Sequence, residues 1–304
     1  MIQEIPKYYP ECYIPQKLND ILHADSAPIK PIKPEILIKN PVKKKGLLGF
    51  VNSIFNNIFT KSYSKEFIAQ KVKYENALNR YNKEEKKYQQ KKQLYNTCKD
   101  LHEYRKALLK LEIGEYNVFS SGRLVKTTNK ETKKGPGETY FLKYLKQHKG
   151  CEDYFMDNFS IIKNHRICFY NNKNYYPDII LKDKHGIFID IEIDEPYTTD
   201  NNHQAIHYIG SDDYRNEYFT LNDWIVIRFC EQQIFKHTQE CFDFIINIHK
   251  SIYACDLSAL QIFEDFIYPK WSKKQALQWG QENYRETYLP YKLTKQQDKE
   301  NKTL

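Results

Sequence analysis

Three acidic residues alternate with isoleucines in the middle of the chain, which is a spacing suited to carboxylate chemistry. These residues are Asp190, Glu192 and Asp194. Side chains alternate between the two faces of a β-strand, so the three carboxylates share one face, with each about 6–7 Å from the next. Pairing through the turn at 182–186 places Asp178, on the preceding strand, opposite residues 190–192.

Four carboxylates on one sheet face repel one another unless a cation lies among them. A hard divalent cation with oxygen ligands meets that need, so the hairpin predicts a metal site. The alternative is an antiparallel edge hairpin whose acidic face is solvated. The rest of the chain favours the metal site.

The elements that must position this hairpin predict an α/β domain. A helix is predicted to begin at Glu138, directly after Gly-Pro-Gly 135–137, which interrupts regular secondary structure. The later pattern predicts strands at 159–162, 166–170, 176–181, 186–193 and 224–229, and helices at 212–219, 235–252 and 272–288. Such an order of elements indicates an α/β/α arrangement around a small mixed sheet.

The ordered residues resemble the PD-(D/E)XK, or restriction-endonuclease-like, nuclease superfamily. Pro177-Asp178, followed fourteen residues later by Glu192, is similar to the family hairpin. Glu138 matches the acidic residue that many members carry on an upstream helix. The segment from Glu192 to Phe229 resembles the branch related to very-short-patch-repair endonucleases, which show an E-x-D strand, a histidine, a D-x-x-R helix and a G-W-x-V-x-R-F strand. The resemblance covers about residues 136–250.

This resemblance implies a metal-dependent endonuclease that hydrolyses phosphodiester bonds, with DNA favoured over RNA on the resemblance alone. Asp178, Glu192 and the backbone carbonyl of Ile193 would hold Mg²⁺ or Mn²⁺. Glu138 and Asp194 would complete the coordination shell, either directly or through water. The resemblance also implies a restriction-endonuclease-like core.

The chain departs from the family pattern at Asp194, where most members carry a lysine. An aspartate cannot act there as a cation, so the general base is unassigned, and His207 is a candidate for it. Arg215 and Arg228 are candidates for contacts with nucleic-acid phosphates, although Arg228 could instead form a structural ion pair with an acidic residue. The missing lysine also supports an alternative function, a nucleic-acid-binding or assembly protein whose nuclease site has decayed.

The N-terminal third differs in composition. Residues 1–45 contain seven prolines and predict an extended arm. Residues 46–60 predict an amphipathic helix that either docks on protein or lies on a membrane surface, as in a membrane-associated adaptor. Residues 61–110 lack proline and glycine and hold 12 Lys and 2 Arg against 5 Glu and 1 Asp, so they carry a surplus equal to the net charge of +8 of the whole chain.

Residues 61–110 therefore predict a long helix or a helical hairpin. Tyr81, Tyr88 and Tyr95 recur every seven residues, a spacing that suits either the seam of a coiled-coil homodimer or an arm that follows phosphates and stacks on bases. A basic surplus favours a polyanionic partner.

Four segments follow from these patterns. They are the arm and amphipathic helix at 1–60, the basic helical region at 61–114, the nuclease-like domain at 115–255 and a helical extension at 256–304. The seven cysteines show no CxxC spacing, which favours a reducing compartment over a disulfide framework. The start of the chain does not read as a signal peptide and no apolar run approaches a membrane span, so we expect a cytoplasmic protein without membrane insertion.

Overall fold

The computed structural model describes residues 8–35, 65–114, 120, 122–127, 134–147, 152–163, 165–168, 174–200, 202–258 and 264–290. The chain divides into two compact units. One comprises residues 1–24 and 105–304, and the other comprises residues 25–104. All of the predicted site residues belong to the first unit.

The described elements alternate between short strands and helices. The strands are β1 (Tyr8–Tyr9), β2 (Glu11–Tyr13), β3 (Arg123–Lys126), β4 (Phe159–Ile162), β5 (His165–Cys168), β6 (Asn174–Tyr175), β7 (Ile179–Asp183), β8 (Phe188–Asp194), β9 (Ile225–Cys230) and β10 (Tyr268–Pro269). The helices are α1 (Gln16–Leu22), α2 (Lys65–Thr97), α3 (Leu101–Gly114), α4 (Pro136–Gln147), α5 (Glu152–Asn158), α6 (Asp213–Leu221), α7 (Glu231–Lys236), α8 (Thr238–Ala254) and α9 (Lys273–Gln281). Two 3₁₀ turns span Glu264–Phe266 and Tyr284–Thr287.

A mixed five-stranded sheet in the order β2-β9-β8-β7-β4 forms the centre of the first unit. β8 runs parallel to β9 and antiparallel to β7, while β2 and β4 are antiparallel to their neighbours. The expectation of an α/β protein with a small mixed sheet is confirmed. The edge-hairpin alternative is wrong, because β8 is the middle strand and each of its residues is buried.

The two faces of this sheet differ in polarity. On one face, isoleucines of β8 lie beside Ile225, Ile227 and Phe229 of β9. Phe229 contacts Phe141 of α4 and Phe244 of α8 at ring-centroid distances of 6.0 and 5.9 Å. Burying each such side chain stabilises the fold by about 1.5–3 kcal/mol. The other face carries the acidic residues of β8, and α6 packs over it through Phe219.

The N-terminal residues correct the expectation of an extended arm. β2 is an edge strand of the central sheet, Tyr9 is fully buried, and α1 buries Leu18, Ile21 and Leu22. Prolines flank β2 without interrupting it, and an edge strand tolerates such neighbours because one side needs no partner. Residues 25–35 contain no helix or strand, and Ile29 and Ile32 are exposed there.

The C-terminal residues belong to the same compact unit as the sheet, and the predicted boundary at 255 falls inside that unit. Buried Lys270 lies 2.6 Å from the carboxylate of Glu11, and buried Arg285 forms two hydrogen bonds with Glu231. The side chains of residues 264–290 therefore complete the core of the first unit.

The prediction of helices over residues 61–110 is confirmed for the described part. α2 and α3 are separated at Cys98–Asp100, where Asp100 Oδ1 accepts a hydrogen bond from the Glu103 backbone N–H. Tyr81, Tyr88 and Tyr95 are partly buried, and Tyr95 packs edge-on against Tyr104 at 5.1 Å. The coiled-coil dimer and the phosphate-following arm both stay predictions.

Residues 46–60 lie outside the described residues. Among the helices that the structure describes, none has the length and apolar character needed to cross a membrane. Six cysteines within the described ranges, Cys12, Cys98, Cys168, Cys230, Cys241 and Cys255, are free thiols, as the sequence predicts for them.

Candidate active site

Asp178 and Glu192 meet at the carboxyl end of β8. Ile179 pairs with Ile191 across the β7–β8 ladder, so Asp178 lies one position further on, opposite Glu192. The Asp178 backbone N–H donates to Glu192 Oε1 at 3.2 Å, and Asp178 Oδ2 accepts from the Ile193 N–H at 2.7 Å. The predicted cross-strand pairing is therefore found, and backbone hydrogen bonds fix both carboxyl groups.

Arg215 lies between two carboxylates of β8. Its Nη2 donates to Glu192 Oε1 at 2.7 Å and lies 3.3 Å from Asp190 Oδ2, while its Nη1 contacts Glu192 Oε2. The guanidinium also lies 5.0 Å above the ring of Phe219, on the same helix. The Arg215 side chain keeps 17% of its surface exposed. Of the two arginines predicted to contact phosphate, it is therefore the one that solvent reaches.

The carboxyl groups around Arg215 are not fully compensated. Asp190 is completely buried, and among the residues that the structure describes neither of its oxygens has a hydrogen-bond partner. Burial raises the pKa of Asp190 against the opposing charge of Arg215. Burial also raises the pKa of Asp178, although the Ile193 N–H and Arg215 act in the opposite direction. Raised pKa values of this origin mean that more positive charge nearby would stabilise both carboxylates.

Asp194 and Arg228 form a closed ion pair. Arg228 Nε donates to Asp194 Oδ2 at 2.9 Å, and Nη2 donates to Oδ1 at 2.6 Å. The Tyr9 hydroxyl adds a hydrogen bond to Asp194 Oδ2 at 2.9 Å, and Arg228 Nη1 donates to Asn216 Oδ1 at 3.0 Å. Arg228 has no exposed surface. Arg228 therefore forms a structural ion pair, which was the alternative to a phosphate contact in the sequence analysis.

His207 adjoins this ion pair. Its Nδ1 lies 3.1 Å from Asp212 Oδ2 and 3.4 Å from Asp194 Oδ1. Burial disfavours the charged imidazole, but these two carboxylates outweigh burial and raise the pKa of His207 to about 9. This raised pKa favours the imidazolium form at neutral pH. This protonation disfavours the candidate role of general base, because the ring has no lone pair to accept a proton.

Within the described residues, the ligand atoms of Asp194, His207 and Asp212 lie within 4.8 Å of one another, a spacing that a metal ion could use. Arg228 already fills that position. Its Nη2 lies 2.6 Å from Asp194 Oδ1, 3.2 Å from His207 Nδ1 and 3.4 Å from Asp212 Oδ2. A metal ion would have to displace a fully buried guanidinium whose pKa is raised chiefly by Asp194, against the effect of burial. We therefore assign the cation of this cluster to Arg228.

Glu138 lies buried in the first turn of α4, where its carboxylate contacts the ammonium group of Lys134. Burial lowers the pKa of Lys134, and the charge of Asp178 opposes that change. Lys134 is thus within electrostatic reach of Asp178. The sequence analysis did not identify Lys134. Two signals pointed to it: it lies four residues before Glu138, and position 194 carries an aspartate where a lysine was expected.

Glu195 is a second residue that the sequence did not single out. Burial and the neighbouring charge of Glu231 raise the pKa of Glu195 to about 8, and Asp178 acts in the same direction. The sequence signal for Glu195 was its position directly after Asp194, at the end of the acidic strand. A carboxyl group with that pKa exchanges protons near neutral pH.

The structure therefore brings most of the predicted site residues to one end of β8. Asp178, Glu192 and Ile193 are linked by hydrogen bonds, and Asp194 follows them with Arg228 and His207 around it. Arg215 joins Glu192 to Asp190, and Glu138 reaches the group through Lys134. Comparisons with protein-family models, with curated proteins and with solved structures find no match to this chain.

Proposed function

We propose that this protein is a metal-dependent endonuclease of the PD-(D/E)XK type that hydrolyses phosphodiester bonds of DNA. The observation that carries the proposal is the pair formed by Asp178 and Glu192, which backbone hydrogen bonds hold together at the end of β8. Two fixed carboxyl groups beside a backbone carbonyl are ligands of the kind that Mg²⁺ and Mn²⁺ accept.

The order of elements supports the same family of folds. Helix α4 precedes the antiparallel strands β4, β7 and β8, then helix α6 leads into β9, which lies parallel to β8. This order matches the arrangement expected from the motifs, with Glu138 on the first helix and Asp178 and Glu192 on adjacent strands.

The balance of charge supports a cation at Asp178 and Glu192. Seven carboxyl groups of the polar face and its surroundings meet five cationic groups. The carboxyl groups are Glu11, Glu138, Asp178, Asp190, Glu192, Asp194 and Asp212, and the cationic groups are Lys134, Arg215, Arg228, Lys270 and the imidazolium of His207. A divalent ion would offset the difference, and it would do so where burial has raised the pKa values.

Asp178 and Glu192 would hold the ion, which would supply a water of lowered pKa and positive charge to offset that of the transition state. Asp194 is a positioning residue, because Arg228 and Tyr9 already engage both of its oxygens. Lys134 supplies a positive charge near Asp178, which the family lysine would otherwise provide.

Arg215 has two roles in this proposal. Without metal, it neutralises Glu192. With a metal ion at the same carboxylate, that ion pair would weaken and the partly exposed guanidinium would become available to a phosphate. Phosphate recognition by Arg215 would then depend on the metal.

The direct test is a cleavage assay on linear, nicked, mismatched and single-stranded DNA with Mg²⁺, Mn²⁺ or EDTA. We expect cleavage that EDTA stops and that Asp178→Ala and Glu192→Ala abolish. Glu217→Ala is the matched control, because Glu217 is an exposed carboxylate on the same helix as Arg215. Wild-type turnover in both site variants would show that the site is assigned to the wrong residues.

The basic residues 61–110 supply non-specific affinity for DNA in this proposal. Each phosphate neutralised contributes a slope of roughly 0.9 in the logarithm of affinity against that of salt concentration. A chain without residues 61–104 should therefore bind DNA more weakly and with a shallower salt dependence. If the truncated chain instead sediments as a monomer where the full chain is a dimer, and the salt dependence of DNA affinity is unchanged, the segment is a dimerisation arm.

A second candidate function is DNA binding without cleavage. The observation that favours it is the ion pairing of Arg215 with both Glu192 and Asp190, which satisfies part of the acidic face without metal. In this case DNA binding would persist in EDTA, and neither Mg²⁺ nor Mn²⁺ would lead to cleavage of any of the four DNA forms.

A further inference from the structure

A pocket of about 200 Å³ opens beside Asp194 on the first unit. Six of its eleven lining residues come from β10 and the residues after it, and five of those six are aromatic. The rings are those of Tyr268, Trp271, Trp279, Tyr284 and Tyr288. We call this space the aromatic pocket.

The rings of the aromatic pocket hold one another in place. Trp279 stacks on Tyr284 with ring centroids 4.5 Å apart and an interplanar angle of 18°. Trp271 packs against Trp279 at 6.0 Å and against buried Tyr9 at 5.2 Å. The Tyr284 hydroxyl donates to Gln232 Oε1 at 3.0 Å, which fixes that ring further. The pocket is therefore a preformed set of aromatic faces and edges.

The two carboxylates in the wall are already neutralised. Asp194 is paired with Arg228 through both oxygens, and Arg285 donates to both oxygens of Glu231 at 2.8 and 2.7 Å. The Tyr288 hydroxyl adds a third hydrogen bond to Glu231. The carboxylates of the described lining therefore offer no uncompensated charge, and the aromatic walls suit a planar ring.

We infer that the aromatic pocket receives one unpaired nucleobase from the nucleic-acid strand that the protein cleaves. The choice of nucleic acid rests on the proposed function. Asp194 lines the pocket and lies two residues from Glu192, so a base in the pocket and a phosphate at Asp178 and Glu192 would belong to the same short stretch of strand. Pockets for drug-sized ligands usually exceed about 300 Å³, so this smaller one suits a single base.

A base in this pocket would gain stacking on aromatic faces, which does not depend on its identity because every base has a π face. The strand must expose that base, since a paired base cannot leave its stack without a cost in free energy. The site would therefore prefer single-stranded, mismatched or otherwise unpaired DNA.

The test compares two fluorescent 12-nucleotide strands of equal charge, oligothymidylate and a fully abasic backbone, by anisotropy on the full chain in EDTA. We expect wild-type protein to bind the thymidylate strand about tenfold more tightly. Trp279→Leu should bring that ratio near one while affinity for the abasic strand stays unchanged. Tyr284→Leu is a second variant for the same surface, and thermal melts check that both are folded.

Leu277→Ala is the matched control, because Leu277 is exposed on α9 and does not line the pocket. Three results would overturn the inference: equal affinity of wild-type protein for both strands, no binding of either strand, or an equal loss for both strands in Trp279→Leu. EDTA stops metal-dependent cleavage, so the ratio is measured whether or not the protein is a nuclease. An absence of cleavage in the separate assay would remove the proposed function and leave the base pocket standing.

Discussion

Two arginine-centred clusters lie on the polar side of the same sheet, and they differ in how completely charge is balanced. The Asp194 cluster consists of Asp194, His207 and Asp212 around Arg228, whose side chain is fully buried and contacts all three. The Asp178 cluster consists of Asp178, Asp190 and Glu192 near Arg215. There the arginine is partly exposed, and Asp190 makes no hydrogen bond within the described part of the chain.

The pKa shifts follow this difference. In the Asp194 cluster the pKa of Asp212 falls even though burial acts to raise it, because His207 and Arg228 outweigh burial, and the pKa of His207 rises. Both groups are therefore held in their charged forms. In the Asp178 cluster burial raises the pKa values of Asp178 and Asp190. Similar residue types thus form a structural ion cluster in one place and, in the other, a site where negative charge exceeds positive charge.

The largest expected effect is on stability. Arg228→Met should lower the free energy of unfolding by about 3–5 kcal/mol, because it leaves Asp194 buried without its partner. Arg215→Met should cost less than half as much, because the carboxyl groups around it can take up protons more easily. Urea unfolding at pH 7 measures both variants, and equal losses would erase the distinction between the clusters.

The pH dependence of stability gives the next largest effect. The folded pKa of His207, about 9, is above the ordinary value of 6.5. The stabilisation is therefore complete below about pH 6.5 and is lost as the pH rises through 9, with a size on the order of 3 kcal/mol. The difference in unfolding free energy between wild-type protein and His207→Gln should shrink by this amount between pH 6 and pH 10. A constant difference would mean that His207 is neutral in the fold.

Lys134 provides a test on the side of the Asp178 cluster. Lys134→Ala should slow cleavage by about tenfold to a hundredfold, because a positive charge near Asp178 is lost, which corresponds to roughly 1.4–2.7 kcal/mol of barrier. Lys134→Arg should keep most of the rate. Lys143→Ala, an exposed lysine on α4, is the control. If kcat is unchanged in Lys134→Ala, its role is confined to the ion pair with Glu138.

The smallest effect concerns Asp178 and the stability of the metal-free protein. Asp178→Asn removes a charge that burial disfavours and keeps an oxygen for the Ile193 N–H. The free energy of unfolding in EDTA should stay equal or rise by up to about 1 kcal/mol. A decrease of more than about 1 kcal/mol in the free energy of unfolding would show that the Asp178 carboxylate is already compensated by positive charge in the metal-free protein.

Local pattern was enough to predict the acidic hairpin and the helix at Glu138. Alternation fixed which residues of β8 share a face, and the turn fixed the position of Asp178 opposite Glu192. The surroundings depend on contacts that no local pattern encodes. The Tyr9 hydroxyl donates a hydrogen bond to Asp194, 185 positions further along the chain. β2 is an edge strand of only three residues between prolines. Neither feature could be predicted, because the proline-rich sequence around them is typical of an extended arm. The aromatic pocket was missed because its rings lie beyond the region that carries the resemblance.

The metal ion proposed at Asp178 and Glu192 can be tested by Mn²⁺ binding to the full chain, measured at pH 7 by the loss of the free-ion electron paramagnetic resonance signal. We expect one bound ion in wild-type protein, binding at least about tenfold weaker in Asp178→Asn, corresponding to about 1.4 kcal/mol, and wild-type binding in His207→Gln. Binding that His207→Gln abolishes and Asp178→Asn leaves intact would place the metal in the Asp194 cluster and contradict the proposal.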